Sequence, residues 1–117
     1  MQRPLELEFK DMPPSAAVEK LIRNRMAKLE QFYDRITGCR VIVLDPHQHH
    51  HQGKKFQVHI RLTVPGAVLV SSHDSDERGH EDAHVAVRDS FDAVQRQLED
   101  YVRKQRGEVK AHAPRAN

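Results

Sequence analysis

A single cysteine, Cys39, in a chain of 117 residues excludes an intrachain disulfide. Long apolar runs are missing too, since nothing approaches the ~18 consecutive residues of a membrane span. The N-terminus, Met-Gln-Arg-Pro-Leu-Glu-Leu-Glu-Phe, lacks the apolar core of a signal peptide and alternates acidic with large apolar residues. These absences lead us to expect a protein of the reducing cytoplasm with no membrane partner. No repeat or low-complexity tract is present. The net charge of +2 is too small to announce a polyanionic partner by itself. No serine, cysteine or carboxylate is placed by a motif as nucleophile or base, so an enzyme is not expected.

What is there suffices for one domain and is too short for two. Apolar residues make up 38% and charged residues 31%, the balance of a soluble globular protein with a generous polar surface. The clearest signal runs from Asp82 to Arg106. Val87, Phe91, Val94, Leu98 and Tyr101 recur at alternating steps of four and three, with Val102 beside the last, which makes one apolar stripe on a helix. Each such side chain is worth roughly 1.5 to 3 kcal/mol when buried, so the stripe requires an apolar cover. Asp82 is the expected N-cap, and Gly107 stands where a left-handed C-cap residue would end the helix.

Earlier in the chain, Leu5, Leu7 and Phe9 alternate with Glu6, Glu8 and Lys10 as a half-buried strand does. Ser15 is an N-cap candidate for a first helix, whose apolar arc holds Val18, Leu21, Ile22, Leu29 and Phe32, widened by Met26 and Tyr33. A second strand is expected from about Cys39 to Leu44, a third from Phe56 to Val64, and a fourth from Ala67 to Ser72 after a Pro65-Gly66 turn. The order β-α-β-β-β-α predicts an α/β (α+β) two-layer sandwich. Its four-stranded sheet would carry both helices on one face, with the first two strands parallel and the rest antiparallel. The domain is expected to span 1–107, followed by a flexible basic tail over 108–117.

The outward arcs of the helices carry the cations: Lys20, Arg23, Arg25 and Lys28 on the first, Arg96, Arg103 and Lys110 on the second, with Arg88 and Arg106 at its flank. Side by side they would form a ridged cationic surface able to neutralise phosphates and to read RNA by shape. A solvated salt-bridged face explains the same charges, because Glu19 precedes Arg23 by four, as Asp92 does Arg96, Glu99 does Arg103 and Asp100 does Lys104.

Ala27-Lys28-Leu29-Glu30-Gln31-Phe32-Tyr33-Asp34-Arg35-Ile36 and Phe91-Asp92-Ala93-Val94-Gln95-Arg96-Gln97-Leu98, at this spacing and with this strand order, resemble the bacterial hibernation-promoting factor and ribosome-associated inhibitor family. The resemblance covers roughly Pro4 to Lys110. It implies a fold similar to double-stranded-RNA-binding domains and a protein that docks on the small ribosomal subunit, through ribosomal RNA, where messenger and transfer RNA lie. Translation would then be blocked sterically, as a response to stress, without cofactor or catalysis. From the outward arcs, the basic C-terminal end and, for Arg35, the family motif, the expected phosphate contacts are Arg23, Arg25, Lys28, Arg35, Arg96, Arg103, Lys104 and Arg106, in a protein expected to be monomeric away from the ribosome. Ala93, Asp100 and Val102 depart from the family, whose members commonly carry basic residues there. A homo-oligomeric interaction module using its wet sheet face or a strand edge is the alternative.

The histidines invite a metal reading, with His47, His49, His50 and His51 in one loop and His73 and His80 in another. No cysteine or carboxylate pattern completes a ligand set, so no metal is expected. Beside Lys54 and Lys55 these histidines suit RNA contacts better. His59 is read as a solvent-facing strand residue.

Overall fold

The computed structural model describes the backbone of residues 1–45, 56–73 and 82–115, and their side chains up to residue 107 with the exception of residue 73. In chain order the elements are β1 (Glu6–Lys10), α1 (Ala16–Phe32), β2 (Gly38–Leu44), β3 (Gln57–Val64), β4 (Ala67–His73) and α2 (Ala83–Arg115). Strand boundaries fall within a residue or so of those the alternation predicts.

Helix α1 begins where Ser15, in extended backbone conformation, accepts the Val18 N–H on its hydroxyl at 3.2 Å. It ends where the Tyr33 N–H donates to the Leu29 carbonyl. Asp82 caps α2 as expected. Its carbonyl accepts from the N–H groups of Val85 and Ala86, and its carboxylate accepts from the His84 N–H at 2.9 Å. That backbone hydrogen bond, with the neighbouring His84 and Arg88, holds the Asp82 carboxyl below its ordinary range. The far end of α2 departs from expectation. Gly107 does not cap the helix: it has no positive φ, and the helical backbone continues over residues 108–115. Helical hydrogen bonds and the flanking Arg106 and Glu108 override the weak stop signal of one glycine.

The sheet order is β1-β2-β3-β4. β1 and β2 run parallel, Leu7 opposite Val41 and Phe9 opposite Val43, with α1 as the crossover that a parallel pair requires. β2, β3 and β4 are antiparallel neighbours. Pro65 and Gly66 turn β3 into β4, Gly66 at a φ of 80° that favours glycine.

Pleating sends Val41, Val43, Val58, Ile60, Leu62 and Val64 to one face, where they share a single core with Val18, Ile22, Met26 and Leu29 of α1 and Val87, Phe91, Val94 and Leu98 of α2. Phe91, fully buried, is the largest of these side chains. Both helices therefore cover one face of one sheet, the expected two-layer arrangement. Two residues behave otherwise than their hydropathy suggests. Phe32, assigned by its position to the apolar arc, is 50% exposed at the last residue of α1. Ser90 is fully buried in α2, and its Oγ finds no hydrogen-bond partner among the described residues. Cys39 is buried as well, and burial, then the charge of Glu30, pushes its thiol up to about 12.

Candidate nucleic-acid interface

Two contacts tie the helices together. Arg25 of α1 donates to Asp92 of α2 at 2.6 Å, and the rings of Tyr33 and Tyr101 meet edge to face, 5.8 Å between centroids. Residue numbers rise together along both helices, so α1 and α2 run in the same direction. Lys28 and Arg96 lie between the two contacts on their respective helices, and both are exposed. One turn past Tyr101 come the exposed Arg103, Lys104 and Arg106. Arg35, exposed beyond the end of α1, borders a shallow recess of ≈ 380 Å³ with Asp34, Thr37 and Pro65. The Pro65 carbonyl accepts the Tyr101 hydroxyl, which places Arg35 at the Tyr101 end of the helix pair.

The eight candidate cations divide by what their guanidinium or ammonium groups already hold. Arg25 is the least available. Its side chain is 14% exposed, it holds Asp92 and a second, longer contact to Gln95 at 3.4 Å, and it lies 5.8 Å from the centre of the Phe91 ring. This is a strut between helices rather than an outward phosphate contact, so its expected place on the cationic ridge is corrected. Arg23 is exposed and paired with Glu19 at 2.9 Å, the expected step of four. Arg103 is exposed and paired with Asp100 at 2.8 Å, a step of three, in place of the expected Glu99. Lys28, Arg35, Arg96, Lys104 and Arg106 make no ion pair among the described residues, and neither does Lys20.

The reason lies with the acids. Asp92, expected on Arg96, is taken by Arg25; Asp100, expected on Lys104, is taken by Arg103; Glu30 accepts the N-terminal ammonium at 3.1 Å. These three carboxylates are thus engaged elsewhere, and Lys28, Arg96, Lys104 and Arg106 are left without an ion pair among the described residues. Exposed pairs such as Glu19 with Arg23 are worth about 1 kcal/mol or less and leave their cations available to a phosphate.

Among the positions where this chain lacks a basic residue, Val102 is buried and belongs to the core. Asp100 holds Arg103 in place. Ala93 is half-buried. His47, His49, His50, His51 and His80, with Lys54 and Lys55, lie outside the described residues, as does the side chain of His73. Among the described residues no three histidine, cysteine or acidic side chains converge as a metal site would need. His59 sits on the outer sheet face, its Nδ1 2.7 Å from the Ser72 hydroxyl. No described helix is long and apolar enough to cross a membrane.

The family model described as Sigma 54 modulation protein / S30EA ribosomal protein matches residues 5–106. Sequence comparison with curated proteins gives no match. Among solved structures, the N-terminal domain of Thermus thermophilus Protein Y superposes with a TM-score of 0.66 at 13% identity, covering 85% of this chain and 99% of that one. A ribosomal subunit interface protein from Coxiella burnetii superposes with the same TM-score at 15% identity, covering 83% of this chain and 94% of its own. At such identities the two structures speak for the shared fold.

Proposed function

The chain belongs to the Sigma 54 modulation protein / S30EA ribosomal protein family, and from that premise we propose that it is a ribosome-associated translation inhibitor that binds the small ribosomal subunit through ribosomal RNA and occupies the messenger and transfer RNA channel. The observation that carries the reading is the helix pair's outward surface. There Lys28, Arg96, Lys104 and Arg106 project from two parallel helices while Asp92 and Asp100 are drawn away by Arg25 and Arg103. Cations left without acids release bound counterions when they meet phosphates, and a rigid helix pair presents them at the fixed spacing that shape recognition of RNA requires. Arg23 and Arg103 join them by exchanging a weak surface pair for a phosphate.

The inhibition is steric. A two-layer domain seated in the channel excludes the RNAs that would otherwise lie there, and needs neither cofactor nor covalent chemistry. In this reading the protein works in the cytoplasm, where ribosomes are, as a hibernation factor of stressed cells.

Co-sedimentation with vacant small subunits across a salt series tests it, beside a Lys28→Glu, Arg96→Glu double variant. Saturable binding whose logarithm falls linearly with the logarithm of salt, with a slope smaller by about two in the double variant, supports the reading. Absence of saturable binding at low salt overturns it.

A second reading has one observation in its favour. Val68 and Val70 are 44% and 53% exposed on the outer face of the edge strand β4, an apolar pair that self-association would cover. Light scattering over a concentration series decides between a monomer and such a homo-oligomeric module.

A further inference from the structure

The outer face of the sheet, away from both helices, carries a cluster of arginines that the helix surface does not use. Register places Glu6 opposite Arg40 and Arg40 opposite Arg61, so these side chains stand in one row across β1, β2 and β3. Arg3 joins them from the segment before β1. Its N–H donates to the Thr37 carbonyl at 3.1 Å, and its guanidinium lies against Gly38, where an added Cβ would come within 3.2 Å of Nη2. The absence of a side chain at Gly38 lets the Arg3 guanidinium lie close against the backbone there. Together Arg3, Arg40, Arg61 and Glu6, with Gly38 and Val68, line a concavity of ≈ 390 Å³.

Like charges directly opposite on neighbouring strands are unfavourable, and Arg40 and Arg61 are such a pair. Local acids relieve this poorly. Arg40 reaches Glu8 at 3.4 Å, a long contact, while Arg3 and Arg61 make no ion pair among the described residues. Three guanidinium groups share the cavity with one carboxylate, Glu6. A carboxylate ligand needs one bidentate arginine. A phosphate or diphosphate, with more charge and more acceptor oxygens, is matched by several guanidinium forks at once. Glu6 adds an acceptor for hydroxyl or amino groups beside the anion.

We propose that this concavity is a phosphate-binding site, of a size suited to a nucleoside diphosphate, on the sheet face opposite the helix surface. The phosphate can come from a free nucleotide or from an RNA strand, and the proposal does not depend on ribosome binding.

The test titrates the full chain, followed by amide chemical shifts, with inorganic pyrophosphate, with a nucleoside diphosphate and with a short single-stranded RNA. It is repeated for Arg61→Gln and Arg3→Gln, neither of which breaks an ion pair among the described residues. The expected result is saturable binding of pyrophosphate and nucleoside diphosphate, shifts centred on β1 to β3, and affinity weakened roughly tenfold or more by either sheet variant. Saturable RNA binding with the same variant sensitivity, and none of the free nucleotide, assigns the phosphate to an RNA strand. Thermal unfolding of each variant separates a lost site from a lost fold. If no probe saturates, or if binding is indifferent to both Arg61→Gln and Arg3→Gln in folded protein, the proposal is overturned.

Discussion

Arg25 of α1 and Asp92 of α2 meet at 2.6 Å although 67 positions separate them in the chain. The contact ties the two packed helices together, and it engages the carboxylate that sequence spacing assigns to Arg96. This interhelical pair leaves Arg96 without an acid partner among the described residues. The Arg25 guanidinium also lies 5.8 Å from the centre of the fully buried Phe91 ring.

Replacing Arg25 by alanine is therefore expected to lower stability by about 1 to 2 kcal/mol, the size of a charge-assisted bond with one partly exposed partner. Asp92→Ala should cost less, because Asp92 is half exposed. Urea denaturation of both single variants and the double variant measures the coupling, expected at about 0.5 to 1 kcal/mol. A coupling indistinguishable from zero would show that the pair is ornamental to the helix packing.

Gly107 lies inside α2 and a Cβ there would meet nothing within 4 Å. Gly107→Ala should stabilise by about 0.5 to 1 kcal/mol through the lower entropy of the unfolded chain. Were Gly107 a left-handed cap, the same change would destabilise. The sign of the shift in urea midpoint distinguishes the two backbones.

The hydroxyl of Ser90 is buried with no hydrogen-bond partner among the described residues. Ser90→Ala removes an unsatisfied polar group at almost no cost in volume, so stability should rise by up to about 1 kcal/mol. A loss of 1 kcal/mol or more in thermal or urea unfolding would mean the hydroxyl is bonded in solution.

Burial raises the Cys39 thiol from 9.0 to about 12. In the unfolded chain the thiol ionises at its ordinary value, so its contribution is whole below pH 9 and is lost as pH climbs toward 12, where the unfolded state binds fewer protons than the folded one. The expected slope from this group is at most about 1.4 kcal/mol per pH unit. Urea midpoints measured from pH 8 to 11 should fall less steeply in Cys39→Ala than in the parent. Equal slopes would show that the thiol ionises without opening the fold.

The fold is largely legible in the sequence because it rests on short-range regularities. The steps of four and three through Val87, Phe91, Val94 and Leu98, and the steps of two through Val58, Ile60, Leu62 and Val64, each specify an element and the face it buries. Ser15 and Asp82 marked helix starts because a cap is a bond to residues two or three positions on. Gly107 misled for the complementary reason. A C-cap is defined by a left-handed backbone conformation that glycine permits and does not impose.

The candidate interface was legible only as composition. That Lys28, Arg96, Lys104 and Arg106 are cations on outward arcs follows from sequence and period alone. Which of them lack acids does not, because helix neighbours at steps of three and four compete with partners on the other helix. Arg25 won Asp92 by proximity created when α1 and α2 packed together. The row Glu6, Arg40 and Arg61 is likewise a product of strand register, assembled from residues up to 55 positions apart in numbering that the alternation pattern marks only as outward. Sequence by itself determined the elements, their buried faces and the surplus of positive charge, since each depends on residues within a few positions of one another. The tertiary structure alone decided how those charges are paired, since an ion pair depends on distance in space and the packing of two layers sets that distance.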